Sequence, residues 1–317
     1  MKKSVNIFLA ALSVLGMASC QKENQFAEPK GEKENVVITV QTPDAATTKA
    51  IGDGTKATVL YYTAFVGELP IHSLENKVKL TDGKAQLSVS LVKNVDYKFV
   101  FWAQYEDGTS SPYYNVDKFY ETSEVTISYA GAANDEKRDA FCASKDVYVG
   151  MTDADRTISL TRPFAQINFG AEDYEMIKYL GLHTGMTSKT TIAGLPNVIK
   201  VLDGSVSTTG TAAEVTAEFT DAPIPTGDDE YIEIRNKRYG YVNMNYVLAP
   251  RSGEEHLKTV NATFTSGQSK WDASVINVPI ARNHKTNIIG NIFSENAKLE
   301  VVIVPDFDPN DKIKDIL

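Results

Sequence analysis

The sequence contains few of the residues that most often carry out chemistry in proteins. It has two cysteines and four histidines among 317 residues. The histidines lack the short mutual spacings that are typical of metal ligands, and they lie at His72, His183, His256 and His284. No G-x-S-x-G motif is present, and Cys142 has no histidine near it in the sequence. We therefore predict no catalytic site, no cofactor and no enzymatic activity.

A metal site is not predicted either, although one acidic run has part of the required pattern. Asp306, Asp308 and Asn310 have the D-x-D-x-N spacing that begins a calcium-binding loop. Such a loop also needs a glycine and a later bidentate glutamate, and this chain has Asp311 and Leu317 at those positions. We interpret the run as a solvated acidic tail.

The chain has no excess of positive charge. After residue 20 it also has no apolar run long enough to span a membrane. Its formal net charge is -9 at pH 7. This balance argues against nucleic acid or an anionic membrane surface as a partner.

The N-terminus, by contrast, indicates export. Lys2 and Lys3 precede the apolar segment Val5–Met17, which is too short to span a bilayer. The segment leads into the tetrapeptide MASC, which resembles a bacterial lipobox and ends at Cys20. We predict a lipoprotein signal peptide over residues 1–20, with a palmitate-containing lipid anchor on Cys20. The alternative is an ordinary secretory signal with an incidental cysteine.

Lipidation would leave Cys142 without an intrachain partner, so packing rather than disulfides has to hold the fold. Cys142 lies among small and apolar residues, in the sequence DAFCAS. We predict that it is a buried hydrophobic residue and not a nucleophile.

The remaining composition favours β-structure. Fifteen tyrosines and thirteen phenylalanines accompany abundant Val, Thr and Ile, and the length exceeds that of one usual domain. We predict an all-β fold of two consecutive β-sandwich domains with little helix, the one helix lying within Glu172–Leu182. A polar tether at 21–35 precedes an N-terminal sandwich at 36–156. A C-terminal sandwich at 157–317, ending in a short tail, follows a junction near Gly150–Pro163.

The stretch Val275–Val304 has the strongest strand pattern in the chain. Two β-prone runs flank a basic, Asn-rich centre at 282–287. The second run, Leu299–Val304, is apolar on both faces and is therefore expected to lie inside a sandwich core.

Three stretches carry a resemblance to a known family. The sequence VPIARNHKTNIIGNIF at Val278–Phe293, followed by the final hydrophobic run, resembles the C-terminal signature of fimbrillins. These are lipoprotein-derived, type V pilus subunits of Bacteroidia. The runs Leu160–Phe169 and Tyr239–Pro250 also resemble the fimbrillin pattern. The resemblance implies transthyretin-like sandwiches that assemble by strand addition, in which one subunit's extended segment completes another's sheet.

The same resemblance implies a processing site. In the family, a protease cuts the loop after the first strand, and here Val36–Val40 matches that strand and Gln41–Lys56 matches that loop. Family members are often cut after arginine, but the first arginine of this chain is Arg138, so the nearest basic site is Lys49, before Ala50.

We therefore predict a fimbrillin-like pilus subunit, as shaft, tip or anchor, that is lipid-anchored and exposed at the outer membrane. It would adhere to surfaces and assemble with other fimbrial subunits. The tail has little alternation, which weakens the case for a shaft subunit. The alternative is a monomeric surface lipoprotein that binds glycan or a host ligand through aromatic side chains, with candidates at Tyr61, Tyr62, Tyr113, Tyr114 and Trp271.

Overall fold

The computed structural model describes residues 28–43, 54–108, 110–150, 156–251, 255–294 and 298–305. In these residues nearly all regular structure is β-strand, which confirms the predicted fold class. The helices are α1 (Phe119–Thr122) and α2 (Tyr174–Tyr179), and α2 confirms the one predicted helix in a shorter form. Neither described helix is long and apolar enough to cross a membrane.

The strands are numbered in chain order. Those before the predicted junction are β1 (Lys33–Gln41), β2 (Val59–Val66), β3 (Leu69–Pro70), β4 (Asn76–Lys79), β5 (Lys84–Val92), β6 (Asp96–Gln104), β7 (Tyr114–Asn115), β8 (Glu124–Ile127), β9 (Gly131–Ala132) and β10 (Phe141–Tyr148). The later strands are β11 (Thr157–Ser159), β12 (Phe164–Ala171), β13 (Thr187–Leu195), β14 (Val198–Lys200), β15 (Ser205–Ser207), β16 (Val215–Pro223), β17 (Tyr231–Ile234), β18 (Lys237–Leu248), β19 (Glu255–Ser266), β20 (Ser269–Ile280), β21 (His284–Gly290) and β22 (Leu299–Pro305).

The first sandwich packs a small sheet on a larger one. The small sheet has the order β11-β1-β5, and the larger has the order β10-β6-β2-β3 with β4 also paired to β2. The strands follow the two-residue period of half-buried strands, most clearly β5, where Leu87, Val89 and Leu91 point inward between exposed polar residues. Apolar side chains from both sheets form one core.

The second sandwich packs a sheet of order β17-β18-β12-β21-β22 on a sheet of order β20-β19-β13-β16-β9. The rings of Phe169 on β12 and Phe264 on β19 lie 5.9 Å apart and join the two layers. A smaller sheet, β15-β14-β8-β7, contributes Val125, Ile127 and Ile199 to the same core.

The larger sheet of the first sandwich separates the two cores. On β6, Phe99 and Phe101 belong to the first core, whereas Val100 and Trp102 belong to the second. The Trp102 ring lies 6.4 Å from the ring of Phe164, at the start of β12. β6, in the middle of this sheet, is therefore buried on both faces, as its apolar sequence indicates.

The division of the chain at residue 157 into two consecutive domains remains a prediction. Strand pairing crosses that point in both directions. β11 follows it but pairs in parallel with β1, whereas β8 and β9 precede it and pair with β14 and β16 of the later sequence. The two sandwiches therefore exchange short strands.

The stretch Val275–Val304 contains the end of β20, β21 and most of β22. The Asn-rich centre is largely strand β21, which lies between β12 and β22, after a turn in which Asn283 has a φ of 59°. The expectation that Leu299–Val304 lies inside a core holds for one face of the strand, where Val302 and Val304 belong to a buried apolar cluster. In the described part of the chain β22 is at the edge of its sheet. Val302 is buried and Val301 only partly so. An apolar run indicates burial of its side chains but does not give the number of neighbouring strands.

Candidate functional site

The first strand of the fold has neighbours on both sides. β1 runs antiparallel to β5 along its whole length, with Ile38 opposite Leu87. On its other side it runs parallel to β11, with Val40 opposite Ile158. β1 therefore lies in the middle of its sheet and satisfies backbone groups of two other strands.

The side chains of β1 alternate between core and solvent. Val36, Ile38 and Val40 are completely buried, whereas Val37 is 51% exposed. The inward residues contribute to the core of the first sandwich. Loss of β1 would therefore uncover three aliphatic positions in that core and two rows of backbone hydrogen-bonding groups.

The ends of β1 are held mainly by backbone contacts. The Lys93 amide donates to the Glu32 carbonyl before the strand at 2.9 Å, and the Thr42 amide donates to Gly83 after it at 2.8 Å. The Lys93–Glu32 side-chain pair, at 2.7 Å, is solvent-exposed and adds little stability. The contacts that hold β1 in the sheet are therefore its backbone hydrogen bonds to β5 and β11 and the burial of its inward side chains. Another strand of suitable sequence could make the same contacts.

The residues predicted to be modified lie outside the described part of the chain. Cys20, the predicted lipidation site, precedes residue 28. Lys49 and Ala50, the predicted processing site, fall between the described residues Pro43 and Gly54. All three assignments stay predictions.

A polar cavity of about 410 Å³ lies where the first sandwich meets β7 and β8. Its lining includes Glu106, whose carboxylate accepts hydrogen bonds from the Tyr61 hydroxyl at 2.5 Å and the Gln104 amide at 3.1 Å. Lys77 forms an ion pair with the other carboxylate oxygen. Burial, together with the bond to Glu106, raises the pKa of Tyr61 well above its ordinary value. The buried charge is thus compensated by the protein's own side chains.

The aromatic residues proposed for a sugar-binding face are structural. Tyr61, Tyr62, Tyr113 and Tyr114 are each at most 9% exposed. Trp271 packs edge-on against Phe293 with ring centroids 5.1 Å apart. Tyr61 and Tyr62 are successive residues of β2, so they face opposite sides and belong to different cores. Tyr113 and Tyr114 pack against each other, with ring centroids 6.3 Å apart. These residues therefore form no exposed platform.

Cys142 is buried on β10, as its apolar surroundings predict. Burial raises the pKa of its thiol to about 11, so the reactive thiolate is scarce at neutral pH. This confirms its interpretation as a packing residue.

Two buried polar features were not predicted from the sequence. Arg162 and Asp139 form a bidentate ion pair, in which Nε and Nη2 of the guanidinium each donate to one carboxylate oxygen at 2.8 Å. Their side chains are 3% and 1% exposed. In the second sandwich, Asn168 accepts from the Tyr241 hydroxyl at 2.7 Å and donates to Asn287 at 2.8 Å. The only sequence signal for the second feature is asparagine recurring within apolar strands, as in YVNMNYVL.

The fold and the placement of β1 define a class: an all-β, two-sandwich protein whose first strand is inserted into the middle of a sheet. The chain belongs to a family of unknown function, DUF6562, whose model matches residues 29–316. No curated protein matches the sequence.

Several solved structures are similar to this chain. One is a fimbrial assembly protein from Parabacteroides distasonis, with 15% identity, a TM-score of 0.46, and coverage of 86% of this chain and 96% of that one. Another is the tip fimbrial protein Mfa3 from Porphyromonas gingivalis, with 7% identity, a TM-score of 0.48, and coverage of 86% and 99%. A third, from Bacteroides ovatus, has a suggested role in cell adhesion, with 11% identity, a TM-score of 0.49, and coverage of 86% and 97%.

Proposed function

We propose that this protein is a fimbrillin-like, adhesive subunit of the cell surface that assembles with other fimbrial subunits by strand addition. The observation that carries the proposal is the position of β1 between β5 and β11. The resemblance of Leu160–Phe169, Tyr239–Pro250 and Val278–Phe293 to the fimbrillin pattern supports it independently.

The energetics of β1 suit replacement by another chain. Full burial of one aliphatic side chain is worth about 1.5–3 kcal/mol, so the three inward residues of β1 together contribute roughly 5–9 kcal/mol. A donor strand with β-branched residues at the same spacing would recover that burial and both backbone ladders. The exchange is then close to balanced, and small differences in side-chain fit set its direction.

Two further parts of the proposal concern residues outside the described chain. Cleavage after Lys49, before Ala50, would break the covalent link between β1 and the later strands. β1 would then be held in the sandwich by noncovalent contacts alone. A lipid on Cys20 would hold the protein at the outer membrane until that cleavage.

Controlled cleavage tests the proposal. A recognition site for a sequence-specific protease is introduced within residues 44–53, and the cut protein is mixed with a fluorescent peptide of sequence KENVVITVQ, which is β1. We expect the peptide to enter the cut protein and to remain with it in size-exclusion chromatography. The control peptide carries aspartate in place of Val36, Ile38 and Val40. Retention of the original β1 with no peptide uptake, or equal uptake of both peptides, would refute strand addition.

A second function, glycan binding by a monomeric lipoprotein, has one observation in its favour. The cavity of about 410 Å³ is of a size to admit a small sugar and presents Asn115 and Asp117 along with Gln104. Saturation-transfer NMR with a panel of monosaccharides, recorded for the parent protein and for Asp117→Ala, tests it. We expect a transfer signal from the parent protein that is weaker in the variant. No signal from the parent, or equal signals from the two proteins, rules out this site.

A further inference from the structure

Three potential metal ligands from two separate segments of the chain lie together on the surface of the first sandwich. His72 begins the short 3-10 helix between β3 and β4, and Glu75 directly follows that helix. Glu121 comes from α1. One ligand atom from each residue lies within 4.8 Å of the other two. The group could not be predicted from the sequence because only two of its members, His72 and Glu75, are close in the chain.

Buried neighbours hold the segments that carry these ligands. Ile71 precedes the 3-10 helix and Leu74 is its last residue, and they are 2% and 8% exposed. Phe119 in α1 is completely buried. The Leu74 amide donates to the Ile71 carbonyl at 2.9 Å, which closes the turn. The backbones of both segments are thus fixed before any ion binds, so ordering them adds little cost to binding.

The local charge favours a cation. The Nδ1 atom of His72 lies 2.5 Å from a carboxylate oxygen of Glu75. The carboxylates of Glu75 and Glu121 surround this position with negative charge. Glu28 is fixed nearby, since its carboxylate accepts from the Ser73 amide at 2.9 Å.

We propose that His72, Glu75 and Glu121 bind a divalent transition metal, with Zn²⁺ the preferred ion. An imidazole nitrogen favours Zn²⁺ over Mg²⁺ and Ca²⁺, which prefer all-oxygen sites. Three protein ligands leave one tetrahedral position for water. The ion would join α1 to the segment between β3 and β4. This inference does not depend on the proposed function.

Calorimetric titration of the untagged mature chain with ZnCl₂, after removal of metals with a chelator, tests the site. We expect one Zn²⁺ per chain, and an increase in Tm that Mg²⁺ does not produce. Since loss of a group that merely supports a ligand costs about 10–100-fold in affinity, His72→Asn and Glu121→Gln should each cost at least about 100-fold.

The matched control is His256→Asn, which removes an exposed histidine on β19. It should leave affinity and stoichiometry unchanged. All substituted positions are on the surface, and circular dichroism checks that each variant is folded. No stoichiometric binding by the parent protein would overturn the proposal, because the group would then be a surface ion pair only. Equal affinity in the parent and in His72→Asn would overturn it as well.

Discussion

The opposite faces of β1 give the sharpest test of how the first sandwich is stabilised. Ile38 is completely buried and Val37, its neighbour, is 51% exposed. Truncation of a buried isoleucine to alanine costs about 2–5 kcal/mol, from lost burial and the cavity that remains. A substitution on an exposed face usually changes stability by less than about 0.5 kcal/mol. Ile38→Ala should therefore destabilise the protein several times more than Val37→Ala.

Urea unfolding of the mature chain, followed by tryptophan fluorescence, measures this difference. Trp102 is a suitable reporter because it is completely buried on β6, in the sheet that faces β1 across the first core. We expect the unfolding midpoint of Ile38→Ala to fall clearly below that of Val37→Ala, with similar slopes.

The same pair of variants connects stability to strand exchange. A cost of 2 kcal/mol corresponds to a factor of about 30 in an equilibrium constant. We expect the Ile38→Ala protein, once cut within residues 44–53, to exchange its own β1 for the parental β1 peptide with an equilibrium constant about 30-fold larger than that of the parent protein. The substitution weakens the packing of the strand already in place and leaves that of the added peptide unchanged. If Ile38→Ala and Val37→Ala lowered the urea midpoint equally and changed peptide uptake equally, the inward side chains would not be what holds β1 in the sheet.

Three further predictions concern other parts of the chain. Arg162→Met should cost about 3–5 kcal/mol, because it removes the positive charge that compensates the buried Asp139 carboxylate, and a double-mutant cycle with Asp139→Leu in urea unfolding should show strong coupling. Cys142 should resist iodoacetamide at pH 8 in the folded protein and react once urea unfolds it, as mass spectrometry can show, since its thiol is buried and has a pKa of about 11. Cys20→Ala should release the precursor from the membrane fraction and abolish palmitate labelling, and a variant that still fractionates with membranes would contradict the lipobox.

Patterns within single strands were sufficient to predict the fold class. In β5 the residues around Leu87 alternate between apolar and polar, and in β6 Phe101 and Trp102 belong to different cores. These features depend on neighbouring residues along the chain, where the two-residue period of a strand fixes the geometry.

Features that depend on distant residues could not be predicted in this way. Val40 and Ile158 are adjacent in the sheet although far apart in sequence, and no local pattern identifies β11 as the second neighbour of β1. The same holds for the pairing of Arg162 with Asp139 and for the approach of Glu121 to His72. Tertiary packing decides each of these contacts, and sequence periodicity carries no information about it.

The two sandwiches differ in how strictly their interiors specify their strands. In the second, the Thr190 hydroxyl donates to Asn243 at 2.7 Å, and Asn243 donates to the Ser188 hydroxyl at 2.9 Å. A foreign strand that lacked one such partner would leave a buried polar group unsatisfied, at a cost of about 1–3 kcal/mol.

The inward face of β1 has no buried polar side chain that needs a hydrogen-bond partner. It presents only aliphatic side chains, at Val36, Ile38 and Val40, to a core of apolar residues. Burial of aliphatic surface is non-directional, so any strand with β-branched residues at that spacing can provide most of it. The backbone ladders to β5 and β11 are likewise independent of side-chain identity. Strand replacement is therefore least costly in the first sandwich, where the proposed cleavage would free β1, while the hydrogen-bonded interior of the second keeps its own strands.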